Sequence, residues 1–245
     1  MSRRVYIKKD NSIKKKAINY FSYVFLIIGS LMLFWSFYPI ISFEIYSKYF
    51  IKKSIKSPVP DSDSPSSLSQ ASMILGSFNV FSNNLRDFTQ ASLWFPSVVQ
   101  AGTTSTLSVK KYSLSIPKLN IIDAEVSVGG EDLSKSLIHY LPKSLPGEYG
   151  NVAIFGHSTL PQLYKPKDYK SIFTYLPSLE NGDIIKVKVN DLDYEYIIYD
   201  KFVVDPDEIS VLDQQMDGSY LTVITCVPPG TYLKRLVVKA KLRLI

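Results

Sequence analysis

From Ala17 to Phe43 the chain reads AINYFSYVFLIIGSLMLFWSFYPIISF, 27 residues without a charge. About 20 apolar residues cross a bilayer as a helix, so this run predicts a transmembrane span. Tyr20, Tyr23, Trp35 and Tyr38 fall towards its ends, where amphipathic rings favour the headgroup region. The run exceeds the roughly 7–15 apolar residues of a cleaved signal, and no small-x-small site follows it. An uncleaved anchor is expected. The pattern then turns polar: residues 57–70, SPVPDSDSPSSLSQ, bury too little apolar surface to offset ordering entropy and read as a flexible tether. Residues 71–108 hold Arg86 and Asp87 as their only charges and contain Phe78, Phe81, Phe88, Trp94 and Phe95, with no sustained period. Two readings stand for this stretch, a partly helical appendage packed on the main domain or near the membrane, and a Ser/Thr/Asn-rich stalk.

From Lys111 onward short β-branched and aromatic runs alternate with Gly, Pro, Asn and Asp, the pattern of an all-β barrel or sandwich. Strands are expected at 112–116, 124–128, 135–140, 151–155, 183–189, 193–199, 201–204, 220–226 and 234–244. Asn190 and Asp191 supply a hairpin turn between two of them. The sole helical pattern is short. In residues 169–179, Ile172, Phe173 and Leu176 share one face before Pro177 interrupts, which predicts one or two turns across a barrel end. In the last run Leu236, Val238, Ala240, Leu242 and Leu244 alternate with Arg235, Val237, Lys239, Lys241 and Arg243, so Arg235 points away from the core. The preceding run offers Leu221, Val223 and Thr225 on one side and Thr222, Ile224 and Cys226 on the other, and its composition does not choose the inward face. The short connection Val227-Pro228-Pro229-Gly230-Thr231 brings Cys226 and Arg235 to the same end of adjacent antiparallel strands.

Charge sharpens this organisation. The net charge of +6 divides into +9 over residues 1–60 and −3 over residues 61–245. A slightly acidic main body argues against a nucleic-acid surface, which gathers basic residues on the folded domain itself. Seven basic residues precede the apolar run and four follow it, a bias that places the N-terminus in the cytoplasm and the rest outside. The expected organisation is a basic cytoplasmic tail at 1–16, a transmembrane helix at 17–43, a linker or stalk at 44–110 and a catalytic domain at 111–245.

A single cysteine excludes an internal disulfide framework and a zinc site of several thiolates. Cys226 by itself reads as a small buried hydrophobe as readily as a nucleophile. A nearby imidazole and guanidinium would favour its thiolate and an acyl-transfer role. Of the two histidines, His157 follows the apolar run 151–155 and Gly156, where a strand leaves the barrel towards a cleft. His139, within Leu137-Ile138-His139-Tyr140-Leu141-Pro142, suits a structural or rim role. The acidic segment with Asp205, Asp207, Glu208, Asp213 and Asp217 lacks the spacing of a calcium loop and reads as a solvated loop. No cofactor is expected.

Residues 112–245 resemble the sortase family of membrane-anchored cysteine transpeptidases. The matching pieces, in order, are Ile116-Pro117-Lys118-Leu119-Asn120-Ile121, the stretch from Leu145 to Asn151, Gly156-His157, Leu179 to Asp183, and Leu221-Thr222-Val223-Ile224-Thr225-Cys226 leading to Arg235-Leu236-Val237-Val238. The resemblance implies an eight-stranded sortase-type β-barrel with one or two short helices, carrying His157, Cys226 and Arg235 as its catalytic trio. Thr222, Thr225 and His139 are the candidate substrate-binding residues. Cys226 would cleave an L-P-x-T-G-like sorting signal after its threonine through a thioester. The acyl group would pass to an amine from a cell-wall precursor or a protein. The implied partners are surface proteins with a C-terminal sorting signal, that amine, and the membrane. No Asp-Pro-aromatic motif precedes the domain, so the pilus-polymerising subgroup is not favoured, although the aromatic-containing stretch 71–108 could still cover the groove. Two other readings stay open, a membrane-anchored barrel that binds without chemistry and a thiol peptidase that only hydrolyses.

Overall fold

The computed structural model describes residues 12–50, 52–53, 89–95 and 108–243. The expected tether at 57–70, most of the stretch 71–108 and Leu244 lie outside these residues. The chain divides between Ser42 and Phe43 into two units. In the first, α1 (Ser12–Phe50) begins, and its segment Ile18–Tyr38 is long and apolar enough to cross a membrane. Phe25, Leu26, Met32 and Trp35 are all exposed on it. A helix that is apolar all round finds no partner for those faces in water.

In the second unit, eight strands close on themselves. They are β2 (Lys111–Ile116), β3 (Ile121–Val128), β4 (Leu137–Tyr140), β5 (Gly150–Phe155), β6 (Ile184–Val189), β7 (Leu192–Val204), β8 (Ser219–Val227) and β9 (Lys234–Leu242). Their order is β7-β6-β2-β3-β4-β5-β8-β9, and a β7–β9 pairing closes the barrel. A two-residue strand, β1 (Lys52–Lys53), lies parallel beside Phe202 and Val203 of β7. The pairs β3–β4 and β5–β8 are parallel and the other barrel pairs antiparallel. The expected runs 193–199 and 201–204 are one strand of 13 residues, β7, whose register shifts between Ile198 and Asp200.

β6 shows how sequence becomes barrel. Ile185, Val187 and Val189 are buried, while Lys186 and Lys188 are exposed between them. The period of two puts one face on the core and the other in water. β5 and β8 are buried at every position, so both of their faces are covered. Inward, Val152, Ile154, Leu221, Val223, Leu236 and Val238 join the barrel core. Outward, Ala153, Phe155, Ile224, Cys226 and Val237 form a second apolar cluster with Ala91, Trp94 and Phe95. Residues 169–179 run as successive i→i+3 turns ending in a 3-10 helix at Leu176–Ser178. Ile172, Phe173 and Leu176 plug the core as their spacing indicated.

Candidate active site

The parallel pairing of β5 with β8 sets the site. Phe155 stands opposite Ile224, and continuing that register by two residues brings His157 alongside Cys226. Three bonds hold the chain there as it leaves the sheet. The Gly156 N–H donates to the Ile224 carbonyl at 3.2 Å, and Thr225 Oγ1 donates to the Gly156 carbonyl at 2.7 Å. Ser158 Oγ donates to the Cys226 carbonyl at 2.6 Å. A Cβ on Gly156 would run into the Phe173 ring and Leu137, so the close passage of this strand end over the core plug requires glycine.

Arg235 stands directly opposite Cys226 across the β8–β9 pair. The turn between them contains a cis Val227–Pro228 peptide and Gly230 at φ +81°, where the left-handed backbone favours glycine. Arg235 is 3% exposed and Cys226 1%. Two of the guanidinium nitrogens, Nε and Nη2, donate to the Trp94 carbonyl at 3.2 and 2.9 Å. Nη1 donates to the carbonyls of Tyr232 and Lys234 at 3.0 and 3.2 Å. The guanidinium carbon lies 5.5 Å from the centre of the Trp94 ring, within cation–π reach. That ring stacks on Phe155 at 5.3 Å and meets His157 edge-on at 5.8 Å.

Burial sets the protonation of Cys226 and His157. It pushes the Cys226 thiol up to about 11, against a smaller opposing pull from Arg235. It holds His157 down at about 4, against Asp132, which favours the cation; Lys170 adds slightly to the lowering. Thiol and imidazole are therefore both neutral at pH ~7. A hollow of about 350 Å³ opens near Asn120, Asp123, Tyr164 and Lys167, and none of the trio lines it. Among the described residues, no group of three or more His, Cys, Asp or Glu side chains gathers as metal ligands would.

A family model for the sortase domain matches residues 114–243. The chain belongs to the sortase family. Over 135 residues it is 27% identical to sortase D of Bacillus subtilis (strain 168), covering 52% of this chain and 61% of that protein's length. It also resembles the solved sortase D5 transpeptidase of Clostridium perfringens, at 25% identity over 65% of this chain and 98% of that one, with a TM-score of 0.48. Sortase C1 of Streptococcus agalactiae, solved as a complex with MTSET, gives 22% identity over 66% of this chain and 87% of that one, with a TM-score of 0.50. That last likeness speaks to the fold alone, and the fold is the eight-stranded barrel described above.

Within this sortase domain the six expected site residues divide. His157, Cys226 and Arg235 come together on one outer face of the barrel. Thr225 shares the inward parity of Leu221 and Val223 and serves as the clamp on Gly156. Thr222 faces outward but donates to Asn151 Oδ1 at 2.6 Å, and Asn151 in turn donates to the carbonyls of Val211 and Asp213. That pair tethers the β7–β8 connection. His139 shares the inward parity of Leu137, with its ring edge-on to Tyr112 at 5.9 Å. Ile138 and Tyr140, on the other side of β4, belong to the outer cluster instead. Sequence reasoning missed Ser158, and it offered the 71–108 stretch as a cover for the groove without singling out Trp94. The only signals were a hydroxyl directly after the Gly-His pair and an aromatic pair in an aperiodic stretch.

Proposed function

We propose that the chain is a membrane-anchored cysteine transpeptidase acting on an L-P-x-T-G-like sorting signal. The observation that carries this reading is the meeting of His157, Cys226 and Arg235 on one barrel face, through two strand registers. Cys226 Sγ passes its proton to His157 and attacks the threonine carbonyl carbon. As the tetrahedral intermediate collapses, the threonine–glycine C–N bond breaks and His157 returns the proton to the leaving amine. The acyl group stays on sulfur as a thioester. An incoming amine then attacks that carbonyl, loses its proton to His157, and the C–S bond breaks to restore the thiol.

Arg235 directs its fork of donors at the oxygen where negative charge develops. The α1 segment anchors the enzyme, with the N-terminus cytoplasmic and the barrel extracytoplasmic. Enzyme and membrane-tethered substrate on one surface meet at raised effective concentration. The acyl acceptor is a cell-wall precursor or protein amine, and the product is a surface-anchored protein.

The test incubates the full chain in detergent with L-P-x-T-G-like and L-A-x-T-G-like peptides, with and without an amine, and follows intact masses. The expected result is a Cys226 adduct and an amine-dependent ligation product, both lost in Cys226→Ala. Product formed without the amine, and none with it, would replace transfer by hydrolysis. Equal silence of wild type and variant would leave a binding module.

A further inference from the structure

We propose that Ser158 is a positioning residue, whose hydroxyl clasps the Cys226 carbonyl and so fixes His157 beside the thiol through the main chain. The reaction it serves rests on the transpeptidase reading, whereas the clasp itself stands on geometry.

The first observation is where the ladder between β5 and β8 ends. In a parallel pair the hydrogen bonds are evenly spaced along the strands. β5 ends at Phe155, and the Gly156 N–H still donates to the Ile224 carbonyl at 3.2 Å. Two residues further on, the next acceptor is the Cys226 carbonyl, and a side chain serves it. Ser158 Oγ donates there at 2.6 Å. The hydroxyl adds a rung after the chain has left the sheet.

The second is that a matching bond crosses it. Thr225 Oγ1 donates to the Gly156 carbonyl at 2.7 Å. One hydroxyl thus reaches from β8 to the residue before His157, and the other reaches from the residue after His157 back to β8. The His157 carbonyl accepts from the Phe173 N–H at 2.9 Å, and the Thr159 N–H donates to Thr174 Oγ1 at 3.1 Å. Gly156, His157, Ser158 and Thr159 are each fastened, and Cys226 carries one end of the fastening.

The third is what does not hold the ring. A catalytic base is commonly oriented by a third group that bonds it. His157 Nε2 is buried with no hydrogen-bond partner, and Asp132 acts on the imidazole through space, as a charge. Among the described residues the ring is placed by packing, edge-on to Trp94, and by the main chain that bears it. Misplacement by about 1 Å can cost a reaction on the order of 10²-fold, so a bond that sets the main chain sets the chemistry.

The test compares Ser158→Thr with Ser158→Val in the full chain in detergent, two branched side chains of similar volume that differ in the hydroxyl. The chain has only two histidines, so isotope-labelled histidine gives an NMR signal set for each imidazole, assigned with His157→Gln. The His157 signals are expected to shift or broaden in Ser158→Val and to match the wild type in Ser158→Thr, with those of His139 unmoved. On a sorting-signal peptide, kcat should fall roughly 10- to 100-fold in Ser158→Val with KM held within about twofold, and Ser158→Thr should restore it. Equal kcat and equal His157 signals in the two variants overturn the clasp, as does a loss carried by KM alone. If Ser158→Val fails to fold, Ser158→Ala takes its place against Ser158→Thr. Loss of cooperative thermal unfolding in both makes the hydroxyl structural and overturns the positioning role. His157 signals that move with the hydroxyl, with no peptide turnover in any of these proteins, sustain the clasp and sink the transpeptidase reading. Peptide transfer at equal rates in Ser158→Thr and Ser158→Val does the reverse.

Discussion

The barrel interior and the outer face of β5, β8 and β9 are both apolar and closely packed, yet they differ in what covers them. The interior is sealed by strands that pair on both sides, so Phe173 and Leu221 leave the core only if the barrel opens. The outer face of Phe155, Ile224 and Val237 is covered instead by Trp94 and Phe95, on a segment that bonds to the β3–β4 connection and, through the Trp94 carbonyl, to Arg235. Equal burial therefore does not mean equal permanence.

The sharpest way to break this contrast is to truncate one residue from each region. Phe173→Ala is expected to cost about 3–5 kcal/mol, because the cavity at the barrel end cannot collapse. Trp94→Ala, from an equally buried side chain, should cost no more than about 1–2 kcal/mol of global stability. Chemical denaturation of the two variants measures both, and equal losses would show that the 89–95 segment belongs to the permanent core.

Arg235→Lys asks next whether the groove's charge is there for chemistry. A lysine keeps the charge but loses the planar fork, and peptide turnover should fall by roughly 10²–10³ while the barrel still unfolds cooperatively. Wild-type turnover would remove Arg235 from the mechanism.

Acid gives the smallest of the three effects. His139, in the interior, is held near 4 by burial, below its ordinary 6.5. Its contribution to stability is complete above the ordinary value and is lost as pH falls towards 4, because the unfolded chain takes up the proton first. At pH ~5 the loss from this one imidazole amounts to roughly 2 kcal/mol. His139→Leu should flatten the decline of unfolding free energy between pH ~7 and ~5 by about that amount, and an unchanged slope would place its proton elsewhere.

How much of this was legible depended on whether a face meets water. β6 alternates, and β9 does so from Val238 to Lys241; extending that parity correctly turned Arg235 away from the core. β8 gave no such reading, because its outward Ile224 and Cys226 are covered as fully as its inward Leu221 and Val223. The bulge at Tyr199 split β7 into two expected runs, since an extra residue interrupts the alternation on which the reading relies. In the site, the trio was marked by residue type and motif, while Trp94 was not, because its contribution includes a backbone carbonyl that every residue possesses. The two threonines and His139 were legible as residues near the site but not in their roles, which depend on strand parity and on partners such as Gly156, Asn151 and Tyr112.

The pairing of β9 with both β8 and β7 has a consequence for how the protein acquires its activity. The strand that closes the barrel is also the one that delivers Arg235 opposite Cys226. A chain with β9 not yet docked has an open sheet and a thiol with no guanidinium opposite it, so closure of the barrel and assembly of the trio arrive in a single step.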